Sequence, residues 1–177
     1  MDKELREVAI YTDGAAEPNP GPGGYGVVLV YKKHRKELSG GFRRTTNNRM
    51  EILAAIASLE ALSMRCAATI YSDSQYLVDA VTKGWARRWR ANGWKRKGGA
   101  MALNPDLWAR LLTLCARHRV RFVWVRGHAG HAENERCDFL ATQAARGENL
   151  PRDIVYEDGN IPLRTPQMGL FDSGYDE

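Results

Sequence analysis

The order of its elements predicts an α/β fold built on a mixed, five-stranded sheet, and three observations carry that reading. Three apolar, β-branched segments fill the first quarter of the chain with no helical pattern between them. Two later strand-like runs alternate with segments of helical spacing, and Gly/Pro clusters fall between these units or beyond residue 147. Strands in direct succession pair antiparallel, and strands separated by helices pair parallel. The sheet should therefore hold three antiparallel strands and then parallel ones, with helices on both faces.

The first strand is read at Val8 to Thr12. Gly21-Pro22-Gly23-Gly24-Tyr25-Gly26 then matches the G-x-G-x-x-G of nucleotide-binding loops letter for letter. Such a loop must open a helix, whose N-terminus holds the pyrophosphate, but Val27-Val28-Leu29-Val30-Tyr31 follows and reads as a strand. The glycines are taken as a hairpin turn, with strands at Tyr25 to Lys32 and, more weakly, at Leu38 to Phe42. Thr45-Thr46-Asn47-Asn48 offers caps to a helix from Arg49 to Ser63, where Met50, Leu53, Ile56, Ala57 and Leu62 recur at helical spacing. A short strand from Ala68 to Ser72 ends at Asp73, and a helix starts at Gln75 and runs to Thr82. Leu107 to His118 is a further helix, Val120 to Val125 a strand, and Glu133 to Arg146 a last helix stopped by Gly147.

The 177 residues allow one core and a short appendage. Cys66, Cys115 and Cys137 are odd in number and widely spaced, which favours reduced thiols over a disulfide framework. The chain opens with charged residues and has no long apolar run, so a soluble, cytoplasmic monomer away from membranes is expected. The net charge of +5 is uneven. Residues 148–177 carry Arg152 and Arg164 against Glu148, Asp153, Glu157, Asp158, Asp172, Asp176 and Glu177, a net of −5, which leaves residues 1–147 at +10. The expectation is a basic domain over 1–147 with a polyanionic ligand, followed by an acidic, extended and mostly disordered tail over 148–177.

Asp13 and Asp73 each follow a strand, at the rim where α/β sheets collect ligands. Glu51 lies in the first turns of its helix with Asn47 and Asn48 one turn earlier, and Asp138 rides the last helix. Each alone reads as an ordinary surface or cap carboxylate. Four from four segments flanked by apolar sequence are the ligand set that hard divalent cations need. His128 lies between Gly127 and Gly130, and a mobile imidazole suits proton transfer there. A zinc site from His128, His131, Glu135 and Cys137 is the rival, without a second Cys/His pair at finger spacing. Residues 83–97 hold seven basic residues, Trp85, Trp89 and Trp94, and no acid. The tryptophans can bury one face of a projecting helix while Arg87, Arg88, Arg90, Lys95, Arg96 and Lys97 track phosphates.

Asp13-Gly14, Asn47-Asn48-Arg49-Met50-Glu51, Asp73-Ser74-Gln75-Tyr76 and Gly127-His128-Ala129-Gly130-His131 through Asp138 together resemble bacterial type 1 ribonuclease H, over about residues 5 to 146. The resemblance implies the ribonuclease H-like fold and cleavage of the RNA strand of RNA–DNA hybrids, leaving 5′-phosphate and 3′-hydroxyl ends. It implies two Mg²⁺ ions with substrate, Mn²⁺ as a substitute, metal ligands at Asp13, Glu51, Asp73 and Asp138, and a mobile histidine at His128. It also implies that Asn19, Asn47, Asn48 and Gln75 line the groove beside the 2′-hydroxyls, that Thr46 and Arg49 hold a DNA-strand phosphate, and that the Trp/Arg/Lys segment is the family's basic protrusion. In the tail, Gln167, Leu170 and Phe171 resemble the Gln-x-x-Leu-Phe peptide that docks on the bacterial sliding clamp, against a reading in which they fold back on the domain. The alternatives are a related DNA-cutting nuclease and a catalytically silent hybrid-binding module.

Overall fold

The computed structural model describes residues 4–159. Gln167, Leu170 and Phe171 lie outside the described residues. In chain order the elements are β1 (Arg6–Ala16), β2 (Gly21–Tyr31), β3 (His34–Thr45), α1 (Asn47–Glu60), β4 (Cys66–Ser72), α2 (Gln75–Thr82), α3 (Trp85–Ala91), α4 (Pro105–Arg117), β5 (Arg119–Trp124), α5 (Ala132–Ala145) and α6 (Ile154–Asp158). The strands form one sheet in the order β3-β2-β1-β4-β5. β1, β2 and β3 pair antiparallel, and β1, β4 and β5 pair parallel, as the succession of elements predicts.

The first three strands run well past their expected ends, and the glycine-rich stretch lies inside β2 rather than in a turn. The reason is α5, which packs directly on β2. A Cβ at Gly24 would sit 2.4 Å from the Ala141 carbonyl oxygen, and one at Gly26 would sit 2.2 Å from that of Cys137. Only bare backbone lets the helix lie this close. The connection between β1 and β2 falls instead at Glu17 to Pro20, which holds two cis X-Pro bonds.

Because successive strand residues face opposite ways, the other face of the sheet carries the main core. Ile10, Val27, Ile70 and Phe122 pack there with Ile52, Ile56 and Leu59 of α1 and Leu111 of α4. Trp108 of α4, fully buried, meets Trp89 edge-on at 6.1 Å and donates its indole N–H to the Tyr76 hydroxyl at 3.1 Å. Trp85, Trp89 and Trp94 are all buried, so they fasten the basic segment from beneath. Arg87, Arg88, Arg90, Lys95 and Lys97 are exposed above them. Arg96 is a correction: at 8% exposure it belongs to the packed base of the segment and not to its phosphate-facing surface.

The described part of the expected tail is also a correction. Residues 148–159 return to the body instead of trailing from it. The Arg43 N–H donates to the Pro151 carbonyl at 2.9 Å, and Arg43 pairs with Glu157 at 2.7 Å. Asp153 caps α6, is buried, and accepts from the Thr45 hydroxyl at 2.7 Å. An acidic, proline-bearing segment gave no helical or strand period, but its carboxylates meet cations that the body presents.

Candidate active site

β1 delivers Asp13 and β4 ends immediately before Asp73, and the two strands are parallel neighbours. Their carboxylates therefore emerge at the same sheet end. α1 starts beside them because Gly14 has no side chain, since a Cβ there would lie 2.4 Å from the Glu51 nitrogen. Thr46 caps α1 by accepting from the Arg49 N–H at 3.2 Å, and the helix then projects Glu51 toward the strand ends. Oxygen atoms of Asp13, Glu51 and Asp73 all lie within 4.8 Å of one another. Asp138 of α5 and His128 of the β5–α5 loop join them in lining a groove of about 530 Å³. Asn47, Asn48, Ser74 and Gln75 form its walls, with Glu17 at its edge.

Three carboxyls this close cannot all ionise freely. Burial and then Asp73 push Asp13 up to about 7, against a hydrogen bond to Glu51 and the 2.8 Å bond that the Gly14 N–H donates. Burial, Asp13 and Asp73 push Glu51 well above the usual carboxylate range. Burial also raises Asp73, where His128 opposes the shift and Asp138 adds to it. Glu51 Oε2 is buried with no hydrogen-bond partner. An orphaned carboxylate oxygen amid mutually repelling acids is a donor set that fits a hard divalent cation. Asp13, Glu51 and Asp73 are the residues that would hold it, with Asp138 adjoining.

Trp124, which nothing in the sequence singles out, and Gly127 shape Asp73. The Trp124 indole N–H donates to the Asp73 carbonyl at 3.1 Å, and the Val125 N–H donates to that of Ser72 at 2.9 Å, so the end of β5 fixes the backbone of β4. At Gly127 a Cβ would come 2.4 Å from Asp73 Oδ2. The signal for Gly127 was present as a glycine beside His128, but it was read as loop mobility.

Of the other expected site residues, Asn47 and Gln75 line the groove, whereas Asn19 and Arg49 are placed differently. Asn19 is exposed and does not line the groove; its side chain accepts from the Asn47 N–H at 3.2 Å and so steadies the start of α1. Asn47 Oδ1 accepts from the Ala16 N–H. Arg49 is a correction: at 4% exposure its guanidinium is already paired with Asp153 at 2.7 Å and Asp106 at 2.8 Å, which leaves little of it open to a phosphate. The Thr46 hydroxyl oxygen accepts in the cap, which leaves its O–H free to donate. Gln75 is exposed at the groove and donates to Asp79 at 2.8 Å. The zinc alternative fails, because Cys137 is fully buried, burial holds its thiol protonated, and among the described residues the metal-binding cluster is the carboxylate one.

The RNase H family model matches residues 5–146, which is most of the chain. This chain belongs to the RNase H family. It is 63% identical to ribonuclease H of Rippkaea orientalis over 161 residues, spanning 91% of this chain and 99% of that one. The crystal structure of LC9-RNase H1, a type 1 RNase H with the type 2 active-site motif, superposes with a TM-score of 0.74 at 28% identity, covering all of both chains. LC11-RNase H1 in complex with RNA/DNA hybrid gives a TM-score of 0.59 at 25% identity, over 78% of this chain and 96% of that one. RNase H enzymes are divalent-metal-dependent hydrolases of RNA in RNA–DNA hybrids, and the buried carboxylate cluster is the part of this fold suited to that requirement. Among the described residues no helix is long and apolar enough to cross a membrane.

Proposed function

We propose that this RNase H cuts the RNA strand of RNA–DNA hybrids with two Mg²⁺ ions, or Mn²⁺ in their place, leaving 5′-phosphate and 3′-hydroxyl ends. The observation that carries this reading is the convergence of Asp13, Glu51 and Asp73 around an orphaned Glu51 oxygen in an open groove. Bound divalent ions supply Lewis-acid stabilisation of the charge that builds on phosphate during in-line displacement. The four carboxylates, Asp138 included, supply the negative charge that draws the cations to the strand ends and fixes the scissile phosphate beside them. His128 is exposed on the groove wall with φ of 53°, between glycines, and in this reading it passes a proton at the departing 3′ oxygen or assists product release.

Selection of hybrid over duplex DNA needs donors and acceptors beside the 2′-hydroxyl. Asn47 has its carbonyl end engaged by Ala16, which orients its amide NH₂ as the donor, and Asn48 and Gln75 extend that wall. The exposed Arg87, Arg88, Arg90, Lys95 and Lys97 grip backbone phosphates in a sequence-independent, salt-dependent way. Gln167, Leu170 and Phe171 dock the enzyme on a replicative sliding clamp in the cytoplasm, with the two apolar side chains as anchors.

The activity is tested with a strand-labelled hybrid beside matched duplex DNA and duplex RNA, in Mg²⁺ and in EDTA. Metal-dependent cutting of the hybrid's RNA alone is expected. Tight binding with no cutting in any divalent metal would leave a silent binding module, and cutting of duplex DNA would leave a DNA nuclease. For the tail, calorimetry with the clamp should lose its binding signal when residues 165–177 are deleted. Unchanged affinity would remove the docking role.

A further inference from the structure

The protrusion does not account for a second gathering of cations at the opposite end of the sheet. Arg6 pairs with Cys66 and Ala67 with Arg119, so the N-terminal ends of β1, β4 and β5 lie side by side, while Asp13 and Asp73 lie at the opposite end, just past the last β1–β4 pair, Thr12 with Ser72. The seven residue steps from Arg6 to Asp13 put roughly 23 Å between these ends at about 3.3 Å per strand residue.

Several contacts tie neighbouring members of this group together at the sheet end. The Arg6 guanidinium lies 5.7 Å and the Lys32 ammonium 5.5 Å from the Tyr31 ring centre. The Cys66 N–H donates to His118 Nδ1 at 3.3 Å, and the charges of Arg117 and Arg65 add to burial in lowering the His118 pKa. Arg119 and Arg121 lie on the edge strand β5 on the face opposite Arg6, so the cations flank this end of the sheet on both faces, and Lys33 follows Lys32 at the β2–β3 turn. All seven of Arg6, Lys32, Lys33, Arg65, Arg117, Arg119 and Arg121 are exposed.

Among the described residues, none of these seven makes an ion pair, although Glu4 and Glu7 lie on or beside β1. Elsewhere on the surface Arg35, Arg43, Arg110, Arg136 and Arg152 each have a carboxylate partner. Like charges gathered without counter-charges repel one another, and a polyanion relieves that repulsion by displacing its own condensed counterions. Five of the seven are arginines, whose planar forks match phosphate oxygens bidentately.

We infer that this end of the sheet is a second, sequence-independent nucleic-acid contact that holds a phosphodiester backbone remote from the cutting groove. A long substrate held there keeps its hybrid stretch at high local concentration near the groove. The inference goes beyond the hybrid-cutting reading, and it predicts two classes of bound nucleic acid on one protein.

The test uses the full chain carrying Asp13→Asn, saturated with a hybrid about one helical turn long, and follows a fluorescein-labelled single-stranded oligonucleotide by anisotropy. The oligonucleotide should still bind. Adding Arg117→Glu, Arg119→Glu and Arg121→Glu should weaken that binding at least about tenfold and lower the log–log salt slope by about 2. In the otherwise unaltered enzyme the same three changes should leave kcat and KM on the short hybrid unchanged, which separates this surface from the cutting groove. If the triple variant does not fold by calorimetry, Arg6→Gln with Lys32→Gln and Lys33→Gln takes its place. Full competition between oligonucleotide and hybrid would overturn the inference, as would unchanged affinity and slope in the variant. Tighter binding of matched-length polyglutamate would overturn it in favour of an acidic protein partner.

Discussion

Asp13 shows most directly how position sets chemistry at the scale of one residue. In metal-free protein its carboxyl rises from the ordinary 3.8 to about 7, so between those values the folded state binds more protons than the unfolded. Stability from this group is therefore lost as pH rises through that window, and Glu51 and Asp73 shift the same way. Glu37 and Glu157, lowered to about 2, act oppositely and titrate at lower pH. In EDTA the calorimetric midpoint should fall between about pH 5 and pH 8, and Asp13→Asn should be the more stable protein at pH 8, by on the order of 1–3 kcal/mol. Mg²⁺ should stabilise the unaltered protein strongly at pH 8 and weakly at pH 5. A midpoint that climbs with pH across this window in EDTA would contradict the carboxylate geometry. Gly127→Ala provides a second residue-scale test, because its new Cβ would meet Asp73 Oδ2 at 2.4 Å. Cleavage should drop about ten- to a hundredfold with a stability change under about 1 kcal/mol, read by turnover and calorimetry on the same preparation. The carboxylates were legible in the sequence because each sits on or beside a strand or helix whose apolar pattern is local. Arg49 was not, because its partners Asp106 and Asp153 lie 57 and 104 residues away.

Among the elements, helices were read nearly to their ends because their 3.6-residue period and caps are local properties. Strand ends were not, since pairing continues through charged and glycine residues wherever a neighbour offers its backbone. Arg35 and Glu37 extend β3 in this way, and Gly23 and Gly24 extend β2, with Gly24 beneath α5. The same limit hid the role of residues 148–159. Asp153 ties this segment to Thr45 and Arg49, the last residue of β3 and the first buried residue of α1. Asp153→Asn should therefore destabilise the protein by about 2–4 kcal/mol, since it leaves a buried guanidinium with one carboxylate partner instead of two. Hybrid cleavage at a temperature where the variant is folded should change little. A variant with an unaltered thermal midpoint would show that the segment does not clamp the body.

Across the whole molecule, one sheet separates two kinds of surface. Carboxylates crowd the end of the sheet where β1 and β4 stop pairing, and cations with no ion-pair partner among the described residues gather at the N-terminal ends of β1, β4 and β5, with a further basic surface on the protrusion. The +10 carried by residues 1–147 is thus organised around a small acidic hollow, which suits a polyanion bound broadly and cut at one point. The most direct test of that arrangement replaces Asp13, Glu51, Asp73 and Asp138 one at a time by Asn or Gln. It measures hybrid affinity and single-turnover RNA cleavage side by side in Mg²⁺. Each change should cut the cleavage rate by at least about a hundredfold while leaving hybrid affinity within about threefold, because the cations outside the hollow supply most of the binding. Cleavage that survives in the Asp13 or Glu51 variant would contradict the account and move the reaction elsewhere on the molecule.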